Sequence, residues 1–169
     1  MRLLKISLGT HGPKGANLWN AMWWLLLSGL CLTQWTTSRD LPEKGDLIVR
    51  VENISKKKGS LRFALYDRSE GFMDEENCVQ GKRIEVAKAG VFELVFPKVP
   101  YGQYALVVHH DQNDNQKLDK NLLGIPTEPY AFSNDPDVKW RPPRFHEVAF
   151  AFTETGQVLT VYLRRWGER

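Results

Sequence analysis

An all-β fold, an antiparallel β-sandwich of about seven strands with one long ordered loop, is what this sequence of 169 residues predicts. Three observations carry the expectation. After residue 45, apolar side chains recur at every second position in short runs, the period of a strand with one buried face. Turns marked by glycine separate the runs, and beyond residue 40 no stretch sustains a helical stripe over three turns. Short strands without helices bury their apolar faces only against one another, in two packed sheets.

Residues 1–38 stand apart from this pattern. They carry Arg2, Lys5 and Lys14 and no acid, ahead of an apolar run over residues 21–32. A membrane span needs ~20 apolar residues, so this shorter run fits the core of a signal peptide better. Cleavage after Ser38 would leave the small residues Thr36 and Ser38 at −3 and −1. The mature protein is then expected outside the cytoplasm, periplasmic or secreted. The alternative is an uncleaved signal anchor, with Trp19 and Trp35 at the two interfaces. Lipidation at Cys31 is disfavoured, because Leu30 occupies a position that wants a small residue. Residues 39–45 read as a short linker, 46–164 as the sandwich domain and 165–169 as a tail.

The strands follow in order. Leu47, Val49 and Val51 alternate with Ile48, Arg50 and Glu52, and the run ends at the hairpin tip Lys56–Gly59. Leu61, Phe63 and Leu65 then alternate with Arg62, Ala64 and Tyr66. Ile84, Glu85 and Val86 make a weaker strand, turned by Lys88, Ala89 and Gly90 into Phe92, Leu94 and Phe96. After the turn at Pro100, Tyr101 and Gly102, residues Tyr104, Leu106 and Val108 alternate with Ala105, Val107 and His109. Val148, Phe150 and Phe152 lead through Thr155 and Gly156 to Val158, Thr160 and Tyr162. Between the fifth and sixth runs lies a long strandless connection, residues 109–144. Loops beyond ~12–15 residues are usually functional or disordered. Ile125, Pro126, Tyr130, Phe132 and Trp140 make this one too apolar for disorder, so it is expected to fold back over one end of the sandwich.

The net charge of +3 belongs to the N-terminus, where residues 1–39 hold four cations and no acid. From Asp40 onward 19 Lys and Arg face 20 Asp and Glu. A near-neutral body argues against nucleic acid or a polybasic membrane contact, leaving the membrane as a partner only if the N-terminal segment is uncleaved. Cys31 and Cys78 provide no disulfide framework and no C-x-x-C metal pair.

Two motifs carry a resemblance. The run Val99-Pro100-Tyr101-Gly102-Gln103-Tyr104-Ala105 resembles the turn and strand of transthyretin-like and carboxypeptidase regulatory-like sandwiches, in the wider immunoglobulin-like class. The ordered set His110-Asp111-x-Asn113-x-Asn115-x-Lys117-Leu118-Asp119, Gly124-Ile125-Pro126-x-Glu128, Phe132-Ser133-Asn134 and Pro143-x-Phe145 resembles the bacterial exported family called domain of unknown function 2141. The resemblance covers residues 46–164 and implies an extracytoplasmic β-sandwich, without implying an activity. The chain departs from the family where glycine is frequent, at Gln116 and at Pro129. The first departure weakens the expectation of a sharp, metal-wrapping turn.

The candidate site is the Asp/Asn-rich loop. Counted from Asp111, oxygens fall at positions 1, 3, 5 and 9 as Asp111, Asn113, Asn115 and Asp119, a spacing that suits a hard cation such as calcium. Gln116 stands where an EF-hand wants glycine, Leu122 where it wants a bidentate acid, and flanking helices are missing. A cation would therefore recruit other oxygens, from Glu128, Asp135 or the main chain. The competing reading is a loop whose Asp and Asn side chains cap its own backbone. No cofactor is expected with certainty; calcium is the one option.

Beside this loop, His110, Glu128, Tyr130 and Asn134 are the candidate ligand-binding residues. Tyr130, Phe132 and Trp140 suit either a platform for sugar or peptide stacking or a plug for the open end of the sandwich. Over residues 109–137, six acids against Lys117 and Lys120 favour cationic ligands. No nucleophile elbow surrounds Ser133, and no phosphate-binding or dinucleotide-binding motif is present. The expected function is a non-enzymatic module binding an envelope or extracellular ligand. The alternative is a metal-dependent envelope hydrolase built on His110, Asp111 and Glu128, with His146 nearby.

Overall fold

The computed structural model describes residues 43–137 and 141–168. The expected signal segment, its cleavage point, most of the linker and Trp140 lie outside the described residues. Among the described residues no helix is long and apolar enough to cross a membrane.

The described residues form eight strands: β1 (Lys44–Ile54), β2 (Ser60–Tyr66), β3 (Gln80–Glu85), β4 (Gly90–Pro100), β5 (Gly102–Asp111), β6 (Tyr130–Phe132), β7 (Phe150–Phe152) and β8 (Val158–Tyr162). A 3₁₀ turn, Glu75–Asn77, and a one-turn helix, α1 (Phe145–Val148), are the helical pieces among the described residues. One sheet has the order β4-β1-β8 and the other β3-β2-β5-β6, with β7 following β6 along the same edge of β5. This is an all-β sandwich, as the alternating runs require. Two details differ from the expectation. The connection after β5 contains β6, whose three residues pair with Val107, Val108 and His109. The last strand, moreover, lies parallel to the first, Ile48 opposite Val158 and Glu52 opposite Tyr162.

The core fills the space between the sheets. Leu47, Val49 and Val51 of β1 meet Leu61, Phe63 and Leu65 of β2 and Leu106 and Val108 of β5, all buried. Each such side chain contributes about 1.5–3 kcal/mol by leaving water. Phe63 meets Phe96 edge to face across the layers, centroids 6.3 Å apart. In β8 the inward residues are Leu159 and Val161, with Leu163 just beyond the strand, whereas Val158 and Tyr162 point outward. The phase of that strand is thus one residue from the sequence reading. A bulge interrupts β4, where Lys98 adopts a positive φ of 54° and both Phe96 and Val99 turn inward. The Asp46 carboxylate accepts the Lys98 N–H at 3.1 Å and holds the bulge.

The outer face of the β3-β2-β5 sheet is also covered. Tyr66, Ala105, Phe132 and Val148 form a second, smaller core, with Phe72, Val107, Tyr130 and Phe145 packed against it. Tyr66, Phe72 and Phe145 make a chain of edge-to-face rings across it. β5 is consequently buried on both faces, and its alternation marks two cores. Buried Ser133 fastens this outer layer: its hydroxyl accepts the Leu106 N–H at 3.0 Å and donates to the Val148 carbonyl.

The two sides of the sandwich end differently. On one, Lys82 of β3 donates to the Val95 carbonyl of β4 at 2.7 Å and lies over the Phe96 ring. A lysine there blunts an exposed strand edge. On the other, Tyr130 and Arg164 exchange backbone hydrogen bonds of 3.0 and 3.1 Å, joining β6 to the end of β8.

Candidate functional site

Asp111 is the last residue of β5, and its carboxylate is fully buried. One oxygen accepts the Asn115 N–H at 3.2 Å and the other accepts the Gln116 N–H at 2.8 Å. The Asn113 side-chain oxygen shares the Asn115 N–H at 3.2 Å, and that of Asn115 accepts the Lys117 N–H at 2.9 Å. These are successive Asx turns, in which a short side chain imitates a backbone acceptor. The two asparagine NH₂ groups then donate to the two oxygens of Asp119, at 2.7 and 2.8 Å. Gln116 makes the sharp turn without glycine, at a φ of 67°.

The four residues expected to converge do converge, donor on acceptor. Calcium takes six to eight oxygen ligands, and here each named side-chain oxygen already accepts an N–H. Among the described residues no group of three or more His, Cys, Asp or Glu side chains is arranged to hold a metal ion.

Glu128 is buried beneath the same loop, its two oxygens accepting the N–H groups of Gln112 at 2.7 Å and Asp119 at 3.2 Å. It is a strut joining the loop's beginning to its middle. His110 is fully buried as well, with Nε2 2.7 Å from the Lys58 carbonyl, so its ring steadies the β1–β2 hairpin. A carbonyl only accepts, which puts the ring proton on Nε2. Its backbone N–H donates to Pro129 at 2.8 Å. Asn134 is exposed at a φ of 57° and donates to the Ala149 carbonyl at 2.6 Å. His146 is exposed on α1. Of the four candidate ligand residues, Tyr130 alone lines a cleft.

His109 faces outward from β5, opposite Arg62 on one side and Tyr130 on the other. It is nevertheless buried, and its Nε2 has no hydrogen-bond partner among the described residues. Burial holds its pKa below the ordinary value of 6.5, against the pull of Glu75. Glu75 itself pairs with Arg62 at 2.7 Å.

The cleft has a volume of about 350 Å³ and is predominantly apolar. Leu118, Leu123, Ile125 and Pro126 of the loop form one wall, Tyr130 and Phe132 contribute aromatic lining, and Met73, Pro143 and Trp166 belong to other segments. Tyr130 and Phe132 meet edge to face, with centroids 5.7 Å apart. Arg141 lies in the lining, clamped by both oxygens of Glu147 at 2.6 and 2.7 Å. That guanidinium, aided by the Arg144 N–H, lowers the Glu147 pKa to about 2. Ile125, Pro126, Tyr130 and Phe132 are conspicuous in the sequence and Leu118 lies in the family motif, whereas Met73 and Trp166 carry no such signal.

The loop's charge is directed inward. Asp111, Asp119 and Glu128 bind the loop's own donors, Asp114 pairs with Arg83 and accepts from Ser60, and Asp135 pairs with Arg164. Lys117 and Lys120 remain exposed. A preference for cations, expected from the count of acids, does not follow from this arrangement.

No curated protein and no solved structure matches the chain. A family described as an uncharacterized protein conserved in bacteria, DUF2141, matches residues 49–160, from β1 into β8 and across the whole Asp/Asn loop. With its fold compatible with a transthyretin-like sandwich and the match covering most of its length, the chain belongs to the DUF2141 family.

Proposed function

We propose that the protein is a non-enzymatic binding module of the cell envelope, exported by its N-terminal segment, that holds an apolar or aromatic group in the cleft beside the Asp/Asn loop. The observation that carries this reading is the cleft: concave, apolar and bordered by a few polar groups, as small-ligand sites generally are. Its loop wall is already ordered by Asx turns and by Glu128, so binding would cost little conformational entropy. The hydrolase reading is disfavoured by burial: His110, Asp111 and Glu128 are all enclosed, and both carboxylates serve backbone N–H groups. Calcium as a stiffener of the loop is the second reading, favoured by the convergence of Asp111, Asn113, Asn115 and Asp119.

Titration with the fluorescent apolar probe anilinonaphthalene sulfonate tests the cleft. The expected result is saturable binding at one site, weakened at least about tenfold by Ile125→Glu, which sets a charge in the apolar lining. Binding that does not saturate, or that Ile125→Glu leaves unchanged, rejects the cleft as the site. Mass spectrometry of the exported protein tests the address. A mature chain beginning near Arg39 is expected, and an intact N-terminus in the membrane fraction favours the signal anchor.

A further inference from the structure

The loop that walls the cleft has a tip of a different character. Leu122 and Leu123 are 105% and 83% exposed, far above Val158, the next of the exposed large hydrophobic residues at 48%. Two adjacent leucines in water are costly, and contiguous exposed apolar surface marks interaction sites. The tip is held in one shape. The Asn121 side-chain oxygen accepts the N–H groups of Leu123 at 2.9 Å and Ile125 at 3.0 Å, and its backbone carbonyl accepts that of Gly124 at 2.9 Å. Gly124 closes the turn at a φ of 77°.

Lysines stand just before the tip, on either side of Asp119. Lys117 and Lys120 are exposed, and neither makes an ion pair among the described residues. Of the same loop's acids, Asp111, Asp119 and Glu128 accept from its own N–H groups, Asp114 pairs with Arg83 and Asp135 with Arg164. A convex pair of leucines flanked by lysines has the chemistry of an interfacial anchor: apolar side chains enter the acyl boundary while ammonium groups stay with anionic headgroups.

We propose that Leu122 and Leu123 form a lipid-surface anchor that inserts into the interface of an anionic bilayer, with Lys117 and Lys120 on the headgroups. This goes beyond the binding reading of the cleft, with which it shares Lys120 and Leu123, while Leu122 stands outside the lining. It also differs from the expectation that membrane contact requires an uncleaved N-terminus, because the contact would be made by the loop tip.

The test uses the full chain with Cys31→Ser and Cys78→Ser, carrying an environment-sensitive fluorophore on Leu122→Cys or, separately, on Leu123→Cys. A control carries it on Lys57→Cys at the β1–β2 hairpin. Vesicles contain phosphatidylcholine with phosphatidylglycerol, or phosphatidylcholine alone. The expected result is a blue shift and quenching by a lipid-borne quencher at 122 and 123 but not at 57. The signal should need the anionic lipid, weaken with salt, and fall about tenfold or more when Lys117→Glu and Lys120→Glu are combined. No shift at either tip position, equal shifts at the tip and position 57, or equal shifts on both vesicle types would each overturn the proposal. Because the label reports the tip itself, attachment through residues 21–32 cannot imitate success. Titration with the apolar probe in the absence of lipid reads the cleft separately.

Discussion

Glu128 shows how much of the loop rests on single buried carboxylates. Its oxygens are the acceptors for two backbone N–H groups, those of Gln112 and Asp119. A buried donor left without an acceptor costs ~1–3 kcal/mol, so Glu128→Ala should lower stability by about 2–3 kcal/mol in urea unfolding. Glu128→Gln keeps one acceptor and should cost less. For Asp111 the two readings of the loop part company. If the loop caps itself, Asp111→Ala costs ~1–2 kcal/mol whether or not calcium is present, and calcium does not move the wild-type melt. A calcium-dependent rise in melting temperature, reduced by Asp111→Asn, would restore the cation site. His109 supplies a pH test. Burial lowers its pKa in the folded state, so near its ordinary value of 6.5 the unfolded chain binds the proton more readily. Its contribution is therefore present above pH 6.5 and is lost as pH falls through that value toward the folded pKa. Melts across this range should slope for the wild type and flatten for His109→Gln.

At the scale of the element, the strands test which face is buried. Leu106→Ala in β5 or Phe63→Ala in β2 should cost ~2–5 kcal/mol, because both side chains lie in the principal core. In β8, Val161→Asp should abolish cooperative unfolding, whereas Tyr162→Asp should be tolerated; the opposite outcome would mean the strand is out of phase. These strands were legible to different degrees, for physical reasons. β1 and β2 set charged residues against apolar ones, so their inward faces are marked by Arg50, Glu52 and Arg62. From Val158 to Leu163 only Thr160 interrupts an apolar run, which leaves parity to be decided by pairing with β1. Three-residue β6 has no period of its own and exists because β5 offers it an edge. The Asp/Asn loop was legible as a convergence of oxygens. Spacing counts acceptors, however, and leaves unseen the N–H groups and asparagine amides that occupy them. The cleft was the least legible feature, since residues as distant as Met73, Ile125 and Trp166 meet only after folding.

The sandwich as a whole is closed by contacts between its first and last strands. β1 has β4 on one side and β8 on the other, and Arg164 beyond β8 seals the sandwich against Tyr130. Pairings between partners so far apart in sequence are slow to form, because the chain must close large loops first. Removing residues 158–168 should therefore abolish the cooperative melt, although every residue of the Asp/Asn loop remains. A truncated chain that still melted sharply would show that the sheets are independent of their last strand. The parallel pairing of first strand with last has a further consequence in time. A ribosome releases β1 more than a hundred residues before β8, and throughout that interval the three-stranded sheet cannot be completed. A polypeptide that cannot finish folding until its final segment emerges stays threadable, the condition that the proposed export through a narrow pore would impose.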